Sequence, residues 1–106
     1  MKILFDQGVP VPLRRHLTGH EISTAFELQW SALSNGDLIE QAELAGFQLL
    51  ITTDQNLRYQ QNLSARRLAV VVLMSTSWPR IRQKASSIED ALHQLESGAY
   101  LEITIP

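Results

Sequence analysis

Three segments of this chain are almost unbroken runs of apolar residues: "ILF" at 3–5, "LLITT" at 49–53 and "AVVVLM" at 69–74. Each is strand-sized and none alternates polar with apolar. A strand that is apolar at nearly every position must be covered on both faces, as in a parallel sheet with helices above and below it. Two further strand candidates differ. "HEISTA" is mostly polar, and "YLEITI" alternates Leu101, Ile103 and Ile105 against Tyr100, Glu102 and Thr104, so both read as edges.

The expected strands are therefore Ile3–Phe5, Glu21–Ala25, Gln48–Thr53, Leu68–Met74 and Tyr100–Ile105. Helical patterns separate them: Val11–Leu17, Gly36–Ala45, a segment from Asp54 to about Ala65, and a long one over Arg80–Ser97. In the last, Ile81, Ala85, Ile88, Leu92 and Leu95 recur at four-three spacing between Pro79 and Gly98, a helix start and a helix stop. Strand–helix alternation predicts an α/β fold. With the polar strands outside, the order is 2-1-3-4-5, mainly parallel, with helices on both faces. In such a sheet ligands bind beyond the carboxyl ends of the first and third strands, where the connections diverge.

Length and composition narrow the function classes. The 106 residues suit a single domain over 1–106, and 44% hydrophobic with 19% charged residues is ordinary for a soluble globular chain. No apolar run reaches membrane-spanning length, and Asp6 interrupts any secretory-signal layout, so the cytoplasm is the default location. The absence of cysteine excludes disulfides, thiolate metal sites and cysteine nucleophiles. A net charge of −2 and a pI near 5.8 supply no global basic field, which leaves only local arginine clusters for phosphate.

The chemistry concentrates at strand tips. "MKILFD" and "LLITTD" each deliver an aspartate, Asp6 and Asp54, into the expected crevice. Neighbouring carboxylates repel, and a divalent cation between them removes the conflict. Mg²⁺ or Mn²⁺ prefers such hard oxygen ligands, typically one or two carboxylates plus water. Thr52 and Thr53 can support a carboxylate or a bound water through their hydroxyls. Asp37, in the first turn of the helix opened by "LSNGDL", is the candidate third acid, and Asn56 is an additional oxygen donor at the rim. Arg58, Tyr59, Gln60, Gln61, Arg66 and Arg67 follow Asp54 and can contact a nucleic-acid backbone.

Each of these has a purely structural reading. Ser34 and Asp37 form a capping box, Asp6 and Asp54 suit helix or turn caps, and the arginine segment suits a solvated helix face. Glu40 and Glu43 read as the exposed side of their helix. His16 and His20 are separated by Gly19, which breaks a helix between them.

"ILFDQGVP", "LSNGDLIEQAELAGFQLLITTDQNLRYQQNL" and "AVVVL" together resemble the PIN-like family of short bacterial proteins, toxin components related to VapC-type ribonucleases. The resemblance runs from Lys2 to about Leu95. It implies a PIN-like fold and metal-dependent hydrolysis of RNA, with Asp6, Asp37 and Asp54 as the catalytic and metal-binding acids. It further implies an antitoxin partner and a homodimer. Where PIN nucleases commonly carry a fourth acid, two residues past the third-strand aspartate, this chain has Asn56. A neutral amide ligates a cation more weakly than a carboxylate, so a catalytically weak or silent binder of RNA or protein is the second reading. A receiver-like signalling domain also uses strand-tip aspartates on this sheet order. It requires adjacent acids after the first strand and a lysine ending the fifth, and this chain has Phe5-Asp6 and "EITIP".

Overall fold

The computed structural model describes residues 1–60 and 62–106. Strand β1 is Lys2–Phe5 and β2 is Glu21–Thr24, joined by a 3₁₀ helix over Val11–His16. Helix α1 (Asn35–Leu44) leads to β3 (Leu49–Thr52), and α2 (Leu57–Gln60) leads to β4 (Ala69–Leu73). Helices α3 (Trp78–Gln83) and α4 (Ala85–Leu92) precede β5 (Tyr100–Ile103). The five strands form one sheet in the order β2-β1-β3-β4-β5, and every pairing is parallel.

Two cores, one on each face, explain the apolar runs. Ile3, Phe5, Leu49, Ile51, Val71 and Leu73 point to one face and meet Leu13, Ile81, Ile88 and Leu92 from the 3₁₀ helix, α3 and α4. Leu4, Leu50, Val70 and Val72 point to the other and meet Leu38, Ile39 and Ala42 of α1 and Leu57 of α2. β3 and β4 are buried at every position, while β2 and β5 are mostly part-exposed. A wholly buried side chain such as Leu50 is worth about 2–5 kcal/mol against alanine.

The connections β1→β2 and β4→β5 step in opposite directions along the sheet, yet both pass over the face of α3 and α4. The two crossovers therefore have opposite hands, although one hand strongly prevails in parallel sheets. The consequence is uneven cover. Three helical pieces share one face, and the other carries α1 and the single-turn α2. Over Tyr100 and Glu102 of β5 the cover includes the Arg58 side chain, 3.7 Å from the Glu102 carboxylate and 5.9 Å from the Tyr100 ring.

The short helix expected around Val11–Leu17 is present as a 3₁₀ helix, in which the bonds Leu13 N–H to Pro10 O and Leu17 N–H to Arg14 O span three residues. Two other helix expectations are revised. Among the described residues the helix after Asp54 covers Leu57–Gln60, and residues 62–65 are not helical, although the expected helix runs to about Ala65. The Asn62 carboxamide oxygen accepts from the Ser64 amide at 3.2 Å and its hydroxyl at 2.7 Å, a local bond that competes with helix. The long helix over 80–97 is two helices meeting at Lys84, whose amide bonds back to Ile81 O. Both pieces bury the same stripe, so apolar spacing alone cannot reveal the break. Gly98 then turns the chain at φ +76° into β5, and a Cβ there would lie 2.6 Å from Arg66 O.

Candidate metal centre

The parallel register of β1 and β3 pairs Phe5 with Ile51, and the Asp6 amide donates to Ile51 O at 2.9 Å. Asp6 therefore stands level with Thr52. Side chains alternate along a strand, so Asp6 and Thr52 share the face of Leu4 and Leu50, the one covered by α1. Thr52 is fully buried. Its hydroxyl accepts from the Asp54 amide at 3.1 Å, which leaves its one proton for Asp6 Oδ2 at 2.8 Å.

The remaining oxygens are held in turn. Asp6 Oδ1 accepts from the Gln7 amide at 2.7 Å. Asp54 Oδ1 accepts from the Asn56 amide at 2.9 Å, and Asp54 Oδ2 accepts from Asn35 Nδ2 at 2.7 Å. Neither aspartate is in an ion pair among the described residues. A carboxylate offers about four acceptor directions, so both keep capacity for a cation. Two fixed, unpaired carboxylates at adjacent strand tips fit Mg²⁺ or Mn²⁺, which accept few protein ligands and retain water.

Asn35 is the residue that sequence reasoning missed. It opens α1, whose N-cap Ser34 accepts from the Asp37 amide at 3.3 Å. Asn35 thereby reaches Asp54, while Asp37, two residues on, has an exposed side chain. Among the described residues no three His, Cys, Asp or Glu side chains gather as a metal-binding group, so Asp37 does not complete a three-acid cluster. The signal was present in "SNGD": a small amide residue at the first helical position can carry a hydrogen bond outward from the helix.

The other candidates separate. Asn56 contributes its backbone amide, and the residue itself is exposed. Thr53 packs against Gly8, where an added Cβ would stand 2.3 Å from the Thr53 hydroxyl oxygen. Gly8 therefore permits the loop after Asp6 to lie against β3. Arg58 donates to the Tyr59 hydroxyl at 2.5 Å and lies over its ring, which with the nearby Glu102 holds the guanidinium above its ordinary pKa. Gln61 and the side chain of Gln60 lie outside the described residues.

Arg66 and Arg67 precede β4, at the amino end of the sheet, whereas the aspartates follow the carboxyl ends. A strand of five residues separates the two ends, roughly 15 Å. Arg66 is paired with Glu43 at 3.0 Å, and the Arg67 amide donates to the same carboxylate at 3.1 Å. The structure does not bring these arginines to the carboxylate site. A cleft of about 710 Å³ opens at their end of the sheet, but its Arg66 and Glu43 already satisfy one another. On polarity and position the carboxylate end is the stronger functional candidate.

No helix among the described residues is long and apolar enough to cross a membrane. No protein-family model matches this chain, and neither a curated protein nor a solved structure matches it.

Proposed function

We propose that the chain is a PIN-like, divalent-metal-dependent ribonuclease acting as the toxin of a toxin–antitoxin pair. One observation carries the metal site: Asp6 and Asp54 are tied together through the buried Thr52 hydroxyl, yet neither is in an ion pair among the described residues. Asp6 and Asp54 are the residues that hold Mg²⁺ or Mn²⁺. When bound, the metal supplies charge neutralisation at the scissile phosphate and an acidified water. Thr52 orients Asp6, and Asn35 and the Asn56 amide orient Asp54. Arg58 and Tyr59, which follow Asp54 in sequence and lie toward β5, are proposed to meet the RNA backbone. A cognate antitoxin and a homodimer belong to the same reading.

A cleavage-silent binder is the second reading, favoured by the convergence of two acids rather than three. One assay separates them. Purified protein is incubated with RNA and Mn²⁺ beside the Asp6→Asn variant. Metal-dependent cleavage that the variant loses supports the nuclease. Binding of Mn²⁺ and RNA with no cleavage by either protein establishes the silent binder.

A further inference from the structure

We propose that Gly8 and Thr53 are positioning residues that fix how far apart the Asp6 and Asp54 loops stand, and so favour a small octahedral cation, Mg²⁺ or Mn²⁺, over Ca²⁺. This rests on the metal-binding reading of that site.

Glycine at position 8 is required by space and not by conformation. Its φ lies outside the left-handed region that Gly19, Gly46 and Gly98 occupy. A Cβ added to it would stand 2.3 Å from the Thr53 hydroxyl oxygen and 3.6 Å from Thr53 Cβ. Among the described residues no other heavy atom beyond the chain neighbours lies within 4 Å of that point. Ordinary van der Waals contact begins at 3.4 Å, so a side chain at position 8 would push the two segments apart.

Neither segment yields readily. The Val9 amide donates to Asp6 O at 3.1 Å, closing a turn around Gly8, and the Val9 side chain is buried in the core with Phe5 and Ile51. The Asp6 amide is bonded to Ile51 O at 2.9 Å, which anchors the other end of that turn to β3. Thr53 is β-branched, so only one of its three staggered χ1 wells turns hydrogen toward Gly8.

Side chains alternate along a strand, which sets Thr53 on the opposite face from Thr52. The Asp6 loop is thus held against the end of β3 from both faces. Thr52 donates to Asp6 Oδ2 at 2.8 Å on one face, and Thr53 abuts Gly8 on the other. Gly8 is two residues beyond Asp6, and Thr53 immediately precedes Asp54. Mg²⁺ and Mn²⁺ hold their oxygen ligands in near-ideal octahedral geometry, whereas Ca²⁺ accepts more ligands at longer and less regular spacing. Displacing one carboxylate loop therefore costs the small cation more.

The test is calorimetric titration with Mn²⁺ and with Ca²⁺, beside urea midpoints for each variant. Gly8→Ala is expected to lower Mn²⁺ affinity roughly tenfold or more and Ca²⁺ affinity less, so the ratio of the two narrows. Thr53→Ala removes the oxygen that the added methyl would meet. The double variant Gly8→Ala/Thr53→Ala is therefore expected to recover most of the Mn²⁺ affinity, a non-additivity that marks direct contact. Thr53→Ser keeps the hydroxyl and should match the parent. If Gly8→Ala does not fold, Thr53→Ala alone decides, because it opens the contact without adding bulk: a narrowed ratio at an unchanged urea midpoint supports the proposal, and the parental ratio overturns it. Parental affinities in a folded Gly8→Ala overturn it, as does a double variant no better than Gly8→Ala. Equal loss of both cations together with a lowered urea midpoint makes the contact merely structural and overturns it too. A parent that binds no Mn²⁺ sinks the metal reading itself, whereas Mn²⁺ binding that Gly8→Ala leaves intact sinks only the positioning role.

Discussion

The Thr52 hydroxyl donates to Asp6 and accepts from the backbone of Asp54, so one buried side chain fixes both carboxylate-bearing loops. Because the Asp54 amide must give its proton to Thr52, the direction of the bond to Asp6 is determined as well.

Thr52→Val preserves shape and removes both bonds. The Asp54 amide and an Asp6 oxygen then lose their partner in a site where Thr52 admits no solvent. The expected loss is about 1–3 kcal/mol in urea unfolding. Manganese affinity by calorimetry is expected to fall roughly 10–100-fold, as for partners that orient ligands. Thr52→Ser retains the hydroxyl and should recover most of both. A Thr52→Val protein as stable as the parent would show that the bridge ties nothing.

Asn35 and Asp37 make a second comparison. Asn35→Ala removes a 2.7 Å bond to Asp54 and is expected to weaken manganese binding. Asp37→Ala touches an exposed carboxylate in the first turn of α1 and should cost only about 0.3–1 kcal/mol of stability through the helix dipole. Its manganese affinity should stay near that of the parent. The opposite pattern in calorimetry would make Asp37 a ligand after all.

Tyr100 predicts a pH dependence at the other end of the scale. Burial, followed by the hydrogen bond it donates to Glu102, pushes its phenol from 10.0 up to about 12. The neutral form is favoured by folding, so its contribution is complete below pH 10.0 and lost as pH rises toward about 12. In that window the unfolded chain binds fewer protons, and stability falls with pH. Urea midpoints followed across the same window should decline in the parent and decline less in Tyr100→Phe. Parallel declines would remove Tyr100 from the account.

Glu27 shows how such local chemistry can be legible in part. Its carboxylate is held below its ordinary pKa, first by the bond from Arg14 and then by the Thr24 amide. The Thr24 partner lies three residues away and can be guessed from sequence. Arg14 lies on a different connection, and only packing of the 3₁₀ segment beside the β2 turn brings it there.

The same division runs through the molecule. Which segments are strands, which strands are interior and how the sheet is ordered were readable from residues alone. Burial on two faces requires apolar side chains at consecutive positions, and β1, β3 and β4 have them. The positions of Asp6 and Asp54 followed, since Asp6 directly succeeds β1 and Asp54 lies two residues past the end of β3. What decided the contacts of those carboxylates was tertiary. Leu38, Ile39 and Ala42 seat α1 against Leu4 and Leu50, and that seating determines which residue of "SNGD" meets Asp54. It is Asn35, not Asp37. Arg66 and Arg67 are near Asp54 in sequence but a full strand length away in space, because a parallel sheet returns the chain to its amino end before each strand begins.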